Sequence, residues 1–315
     1  MARTGDQSAS IRPPLPPGLD TGLFRGSPRV PAILCIVVLA SLGWIYLGLM
    51  VGAAASAGHV SGPGMSLMDV FSPGRADAIG RALFEAVCRP SFGRPAADAV
   101  LASRAIDVVL VYLMWSAMAF AMMLPTATPM IVTYADIAQA ATAKREPVVS
   151  AVVLIAGYVA VWLAFAAVAT ALQWGLTRAA LLDPSLAPAS ALFAGAIFIG
   201  AGAYQFSSLK HACLTLCQRP FPYLFAYWST ETAGVFRLGL KQGLYCVGCC
   251  WAMMLVMFAV GVMNVVWMAG LGVIMAVEKL TVTTRFGRAV GAIFIAVGTI
   301  FIVSSLVAHW PMRAG

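Results

Sequence analysis

Long apolar runs dominate the chain and set its architecture. They fall at about 31–56, 108–130, 149–173, 189–207 and 289–309, with an isolated Ser, Thr or Gln as the usual exception inside them. A helix needs about 20 mostly apolar residues to cross a bilayer, and each run approaches or exceeds that. The runs are continuous and do not alternate apolar with polar positions, which excludes a transmembrane β-barrel.

The stretch between Lys241 and Glu278 holds 36 residues without a charge. As one helix it would be about 54 Å long. The hydrocarbon core is roughly 30 Å thick, so such a helix would need more tilt than the usual range of about 0–40°. The stretch therefore reads as two short helices, about 242–260 and 263–279, parted near Gly261. The expected fold is an all-α polytopic transmembrane helix bundle of about seven spans, or six if the stretch stays whole.

Basic residues test that count. With seven spans and a cytoplasmic N-terminus, 13 Lys/Arg fall inside and seven outside; with six spans the tally is 11 to nine. Cytoplasmic loops carry the excess of Lys and Arg, so seven fits better. Residues 1–30, with Pro13, Pro14, Pro16 and Pro17, read as a flexible cytoplasmic tail. Residues 31–310 read as one transmembrane domain, in which 57–105 is an extramembrane loop with a moderately helical patch at about 76–89. The alternative for the N-terminus is a signal peptide, since Arg25 and Arg29 precede an apolar run ending in Ala53-Ala54-Ala55-Ser56-Ala57. Its n-region is too long and its apolar run too extended for a typical one.

Composition narrows the class. Of 315 residues, 61% are hydrophobic and 10% charged, against about a quarter charged in an average soluble domain. That excludes an ordinary soluble enzyme, a disordered regulator and a fibrous repeat. The net charge of +8 lies in loops and the tail, so it reads as topology signal and lipid-headgroup contact, not as a nucleic-acid surface. The composition points to a multi-pass membrane protein.

The candidate chemistry is concentrated in sulfur. Five of seven cysteines sit in two short motifs, His211-Ala212-Cys213-Leu214-Thr215-Leu216-Cys217 and Cys246-Val247-Gly248-Cys249-Cys250-Trp251. The first follows the fourth span; the second opens the fifth. One loop, about 208–241, joins the two spans, so both motifs face the same side. Cys213 and Cys217 are four apart and share a helical face; Cys246, Cys249 and Cys250 share a stripe. Thiolates select Cu(I), Zn(II) or iron–sulfur clusters, and His211 adds an imidazole nearby. Met254 and Met257 continue the Cys246/Cys250 stripe, with Met253 beside it, and Met114, Met118 and Met122 recur every four residues, with Met123 and Met130 beyond. Thioethers bind Cu(I) well and zinc poorly, which favours copper. For Met114, Met118 and Met122, packing and copper contact stay equally open. Cys35 and Cys88 read as core residues, and His59 and His309 as interfacial. Asn264 reads as the cap of a helix break or a bond to a neighbouring helix. Glu278 and Lys279 read as a helix end reaching the interface. Pro125 and Pro129 should free carbonyls near Met122 and Met130.

Three blocks resemble the bacterial family of predicted metal-binding integral membrane proteins, an uncharacterised membrane domain. They are Trp115 to Pro125 (WSAMAFAMMLP), Tyr204 to Lys210 (YQFSSLK) running on through Cys213 and Cys217 to Arg219-Pro220, and Gly243 to Met254 (GLYCVGCCWAMM). The similarity covers about residues 105–280. Ser207-Ser208 stand where the family pattern has Thr-Pro, which weakens the expected helix break and leaves every candidate ligand in place. Some members look like copper chaperones that load tyrosinase-like oxidases, so the resemblance implies a client copper protein or soluble partner.

The leading expectation is an integral membrane protein that binds Cu(I) through Cys246, Cys249, Cys250, Cys213, Cys217 and His211, with Met254, Met118 and Met122 inside, and passes it on without catalysis. A membrane thiol oxidoreductase using Cys246-x-x-Cys249 with a quinone is the first alternative; a metal carrier is the second, and a structural subunit the third. No ATP-binding loop of the G-x-x-x-x-G-K-[ST] kind is present. The sequence fixes no oligomeric state.

Overall fold

The computed structural model describes residues 29–56, 101–182, 188–262, 264–281 and 283–309. The tail, most of the loop 57–105 with its helical patch, His59 and Cys88 lie outside them. Among the described residues the fold is all helix: α1 (Arg29–Ser56), α2 (Leu101–Ala143), α3 (Ala151–Arg178), α4 (Ala191–Tyr204), α5 (Ser208–Gln218), α6 (Pro220–Ala226), α7 (Thr232–Leu255), α8 (Met257–Val260), α9 (Val265–Leu280) and α10 (Thr284–His309). Five helical segments are long and apolar enough to cross a membrane, and six if the bent pair α4/α5 counts as one.

The count of seven is therefore too high. The chain does break at Gly261, whose φ of 96° is the left-handed value that suits glycine. Asn264 caps the returning helix, its side chain accepting from Trp267 N at 3.2 Å. But α9 has only 16 residues, about 24 Å at 1.5 Å per residue, short of the roughly 30 Å core. It folds back beside α7 and stops near the middle of it, where Lys279 reaches Cys246.

Two seams hold the bundle. In the first, α3 and α7 run side by side through Gly157 and Gly239. A Cβ on Gly157 would stand 2.3 Å from Phe236 O, and one on Gly239 2.2 Å from Leu154 O. Only bare backbone permits that approach, the usual device of membrane helix packing. In the second, α4 packs antiparallel on α10, Gly195 against Gly298 and Gly202 against Gly291.

Helix α2 packs against α1 and α3. Trp115 Nε1 donates to Gln173 Oε1 of α3 at 2.8 Å, in a buried contact. Pro125 has no N–H, so the carbonyl of Ala121 loses its intrahelical donor. Trp44 of α1 supplies one, Nε1 to Ala121 O at 3.0 Å. The helix continues through both prolines to Ala143. Apolar side chains also cover the outside: Leu34, Val37, Leu49, Ile300 and Val303 are exposed. A soluble monomer rarely exposes such contiguous apolar faces, whereas a bilayer requires them.

Candidate metal centre

The second cysteine motif does not open its helix. Helix α7 begins at Thr232, ten residues before the expected start at 242. Arg237 and Lys241 belong to it because they face outward while Val235, Leu238, Gly239, Gln242 and Gly243 are buried. This is an apolar stripe at helical spacing with its charges on the opposite face. The stripe continues through Cys246, Cys249, Cys250, Met253 and Met254, all buried. Cys246 stands midway along the apolar segment Thr232–Val260, about 21 Å from its start.

The first motif reaches it from α5. The chain bends by 64° between α4 and α5. Ser207 makes the break without a proline: its Oγ accepts from Lys210 N at 3.1 Å as an N-cap. The bend lays α5 across α7. Gly248 makes room for Cys213, whose Sγ lies 2.6 Å from where a Cβ on Gly248 would be. Tyr204 OH donates to Gly248 O at 2.5 Å and fixes the same crossing.

Cys217, one turn beyond Cys213, lines the same small cavity as Cys246. The Cys249 and Cys250 sulfurs are 3.3 Å apart, and Cys249 Sγ lies 3.2 Å from Cys246 O. Tyr158 OH sits 3.0 Å from Cys246 Sγ and donates to Met123 O at 3.2 Å. Four thiols from two helices thus converge, three of them 1–2% exposed. Among the described residues no group of three or more His, Cys, Asp or Glu side chains is arranged as a metal cage. What the cluster does contain is a cavity of about 20 Å³ lined by Cys217, Cys246, Lys279, Tyr158, Thr126 and Met130, among others. That is room for about one water-sized occupant.

Sequence reading missed Lys279. It was expected to reach the membrane interface with Glu278, and both are buried. Lys279 Nζ donates to Cys246 Sγ at 3.0 Å and to Thr126 Oγ1 at 2.7 Å. Glu278 accepts from Lys210 Nζ at 2.7 Å in an ion pair whose side chains are 3% and 1% exposed. Lys210 also donates to Gln205 Oε1. The only hint in the sequence was that a charged pair closes an otherwise uncharged run of this length.

The other expected ligands are distributed as follows. His211 lines a separate polar pocket of about 240 Å³ with Gln205, Lys210, Gln218, Arg219 and Glu278. Met118, Met122 and Met254 are buried in the common core with Met114, Met123, Met257, Met268 and Met275; among the described methionines, Met130 alone lines the cavity beside Cys246. Cys35 is half-buried on α1, packed against the core.

The described residues thus form a multi-span apolar helix bundle with thiols buried inside it. The family model described as a copper chaperone, PpoB2, matches residues 112–301, and the chain belongs to that family. No curated protein and no solved structure matches.

Proposed function

We propose that the chain binds Cu(I) at the Cys217/Cys246 cavity and hands it to a client copper protein. The observation that carries this is that Cys217 and Cys246 line one space the size of a single occupant, with Met130 at its edge and the Cys249 and Cys250 thiols buried next to Cys246. Copper is cargo here. Binding replaces S–H protons by the metal, and transfer proceeds by exchanging one sulfur at a time. A closed four-thiolate site would retain its metal as a structural site does. No covalent bond of a substrate is made or broken in this reading.

The membrane is a bacterial inner membrane, with the α5/α6 end toward the cytoplasm. Lys144, Arg145, Arg219, Arg237, Lys241, Arg285 and Arg288 cluster at that end, as cytoplasmic loops require. The reducing cytoplasm keeps the thiols free. The Cys246-x-x-Cys249 spacing, with both thiols buried on one stripe of α7, keeps thiol redox chemistry as the second reading.

The test is elemental analysis of anaerobically purified full-length protein, compared with Cys246→Ser/Cys249→Ser/Cys250→Ser. Copper in the first and background in the second supports the proposal. No metal in either, with the cysteines recovered as disulfides, replaces it by the redox reading.

A further inference from the structure

Lys279 is the least expected group in the core. An amine buried to 8% exposure must be paired or neutral, and its partners are a sulfur and a hydroxyl, with no carboxylate. The adjacent Glu278 does not serve it, because that carboxylate is engaged by Lys210 on the other side of α9. The Lys210–Glu278 pair is neutral as a unit and leaves the charge around the cysteine cavity unchanged. The other groups lining the cavity, Thr126, Ala127, Met130, Tyr158 and Gln242, carry no charge at neutral pH.

We infer that Lys279 sets the valence of the metal this centre accepts, selecting a monovalent soft cation over a divalent one. The inference rests on the copper-binding reading above and deepens it. The cavity is lined by Cys217, Cys246 and Lys279, and Lys279 carries its charge in the metal-loaded site, where thiolates face it. When a metal enters, Cys217 and Cys246 bind it as thiolates, and the protons they carried leave to bulk water. Two thiolates, one ammonium and one monovalent ion sum to zero. The same donors around a divalent ion leave one positive charge in a largely buried site, where an uncompensated charge is costly. Coordination number acts in the same direction. Zn(II) takes four ligands in a tetrahedron, whereas two sulfurs in line satisfy Cu(I) or Ag(I). Thr126 Oγ1, accepting from Lys279 at 2.7 Å, holds the ammonium at the rim as a positioning residue.

The experiment measures Cu(I) and Zn(II) affinities by chelator competition, under anaerobic conditions, on full-length protein in lipid nanodiscs. The samples are wild type, Lys279→Met, Lys279→Arg and Cys217→Ser/Cys246→Ser. Lys279→Met should lose about 10–100-fold in Cu(I) affinity, the usual size of an outer-shell effect, while its Zn(II) affinity holds or rises. Lys279→Arg, which keeps the charge, should keep the wild-type ratio. A Lys279→Met protein with the wild-type Cu(I)/Zn(II) ratio, or a Lys279→Arg protein without it, overturns the inference. If Lys279→Met does not fold, X-ray absorption of copper-loaded wild type decides: two sulfur neighbours per copper support the charge balance and three overturn it. Failure of the underlying reading looks different, because wild type and Cys217→Ser/Cys246→Ser would then bind Cu(I) equally.

Discussion

Consecutive residues at the end of α9 serve two buried charged sites of opposite character. Glu278 meets Lys210, a protein carboxylate against a protein ammonium, with Gln218 Nε2 tying α5 to the Glu278 and Thr281 carbonyls at 2.8 and 2.7 Å. Lys279 meets Cys246 beside a cavity the size of one ion. The first site balances its own charge with protein groups alone. The second places an amine against thiols, which become charged only when they lose protons to a metal. The first therefore has the form of a clamp and the second of a receptor. Both depend on the same helix end, so the clamp that fixes α5 also fixes where Cys217 meets Cys246.

The largest effect should come from the receptor itself. Replacing Cys246, Cys249 and Cys250 together by Ser should reduce bound copper to background, read by elemental analysis, while the melting temperature changes much less. A comparable loss of both would erase the distinction between the two sites. Next is the clamp. Lys210→Met leaves the Glu278 carboxylate buried and unpaired, which should destabilise the fold by about 3–5 kcal/mol, read by denaturant unfolding in detergent. The double replacement Lys210→Met/Glu278→Leu should recover most of that. Recovery of stability with copper binding intact would show that the clamp is structural.

A smaller effect tests the α3/α7 seam, which lies across the receptor. Gly239→Val would force a side chain against Leu154 O; overpacking of this kind costs about 1–3 kcal/mol. Tyr158 and Cys246 face each other along this seam, so copper affinity should fall in the same variant. Unchanged affinity would separate the seam from the receptor. The smallest effect belongs far from both sites. Trp44→Phe removes the donor to Ala121 O and should cost about 0.5–1.5 kcal/mol, with copper binding unchanged.

Much of the fold was legible because a bilayer imposes simple rules. Apolar runs long enough to span, the break at Gly261 and the Asn264 cap are local features, and each appears in the structure. The count of seven spans failed because periodicity does not show how far a returning helix travels; α9 ends where Lys279 meets Cys246, a tertiary contact. The helix start at Thr232 was missed for a related reason. Arg237 and Lys241 look like loop charges until one sees that they share the outward face of a stripe buried through Val235, Leu238 and Gln242.

The sequence by itself determined the class: an all-helical membrane bundle whose reactive groups are thiols in two short motifs, with methionines nearby. Composition and short-range spacing suffice for that, since hydrophobic length and residue softness are properties of the chain alone. Tertiary structure decided which donors meet. It put Cys217 with Cys246 and His211 in a different pocket, because the 64° bend at Ser207 turns one face of α5 toward α7 and the other toward α10. It also turned two adjacent charges, read as an interfacial helix end, into a buried ion pair with Lys210 and a buried amine on Cys246. Which way a buried charge is satisfied depends on the groups that surround it in three dimensions, and those come here from α2, α5 and α7, distant in the chain.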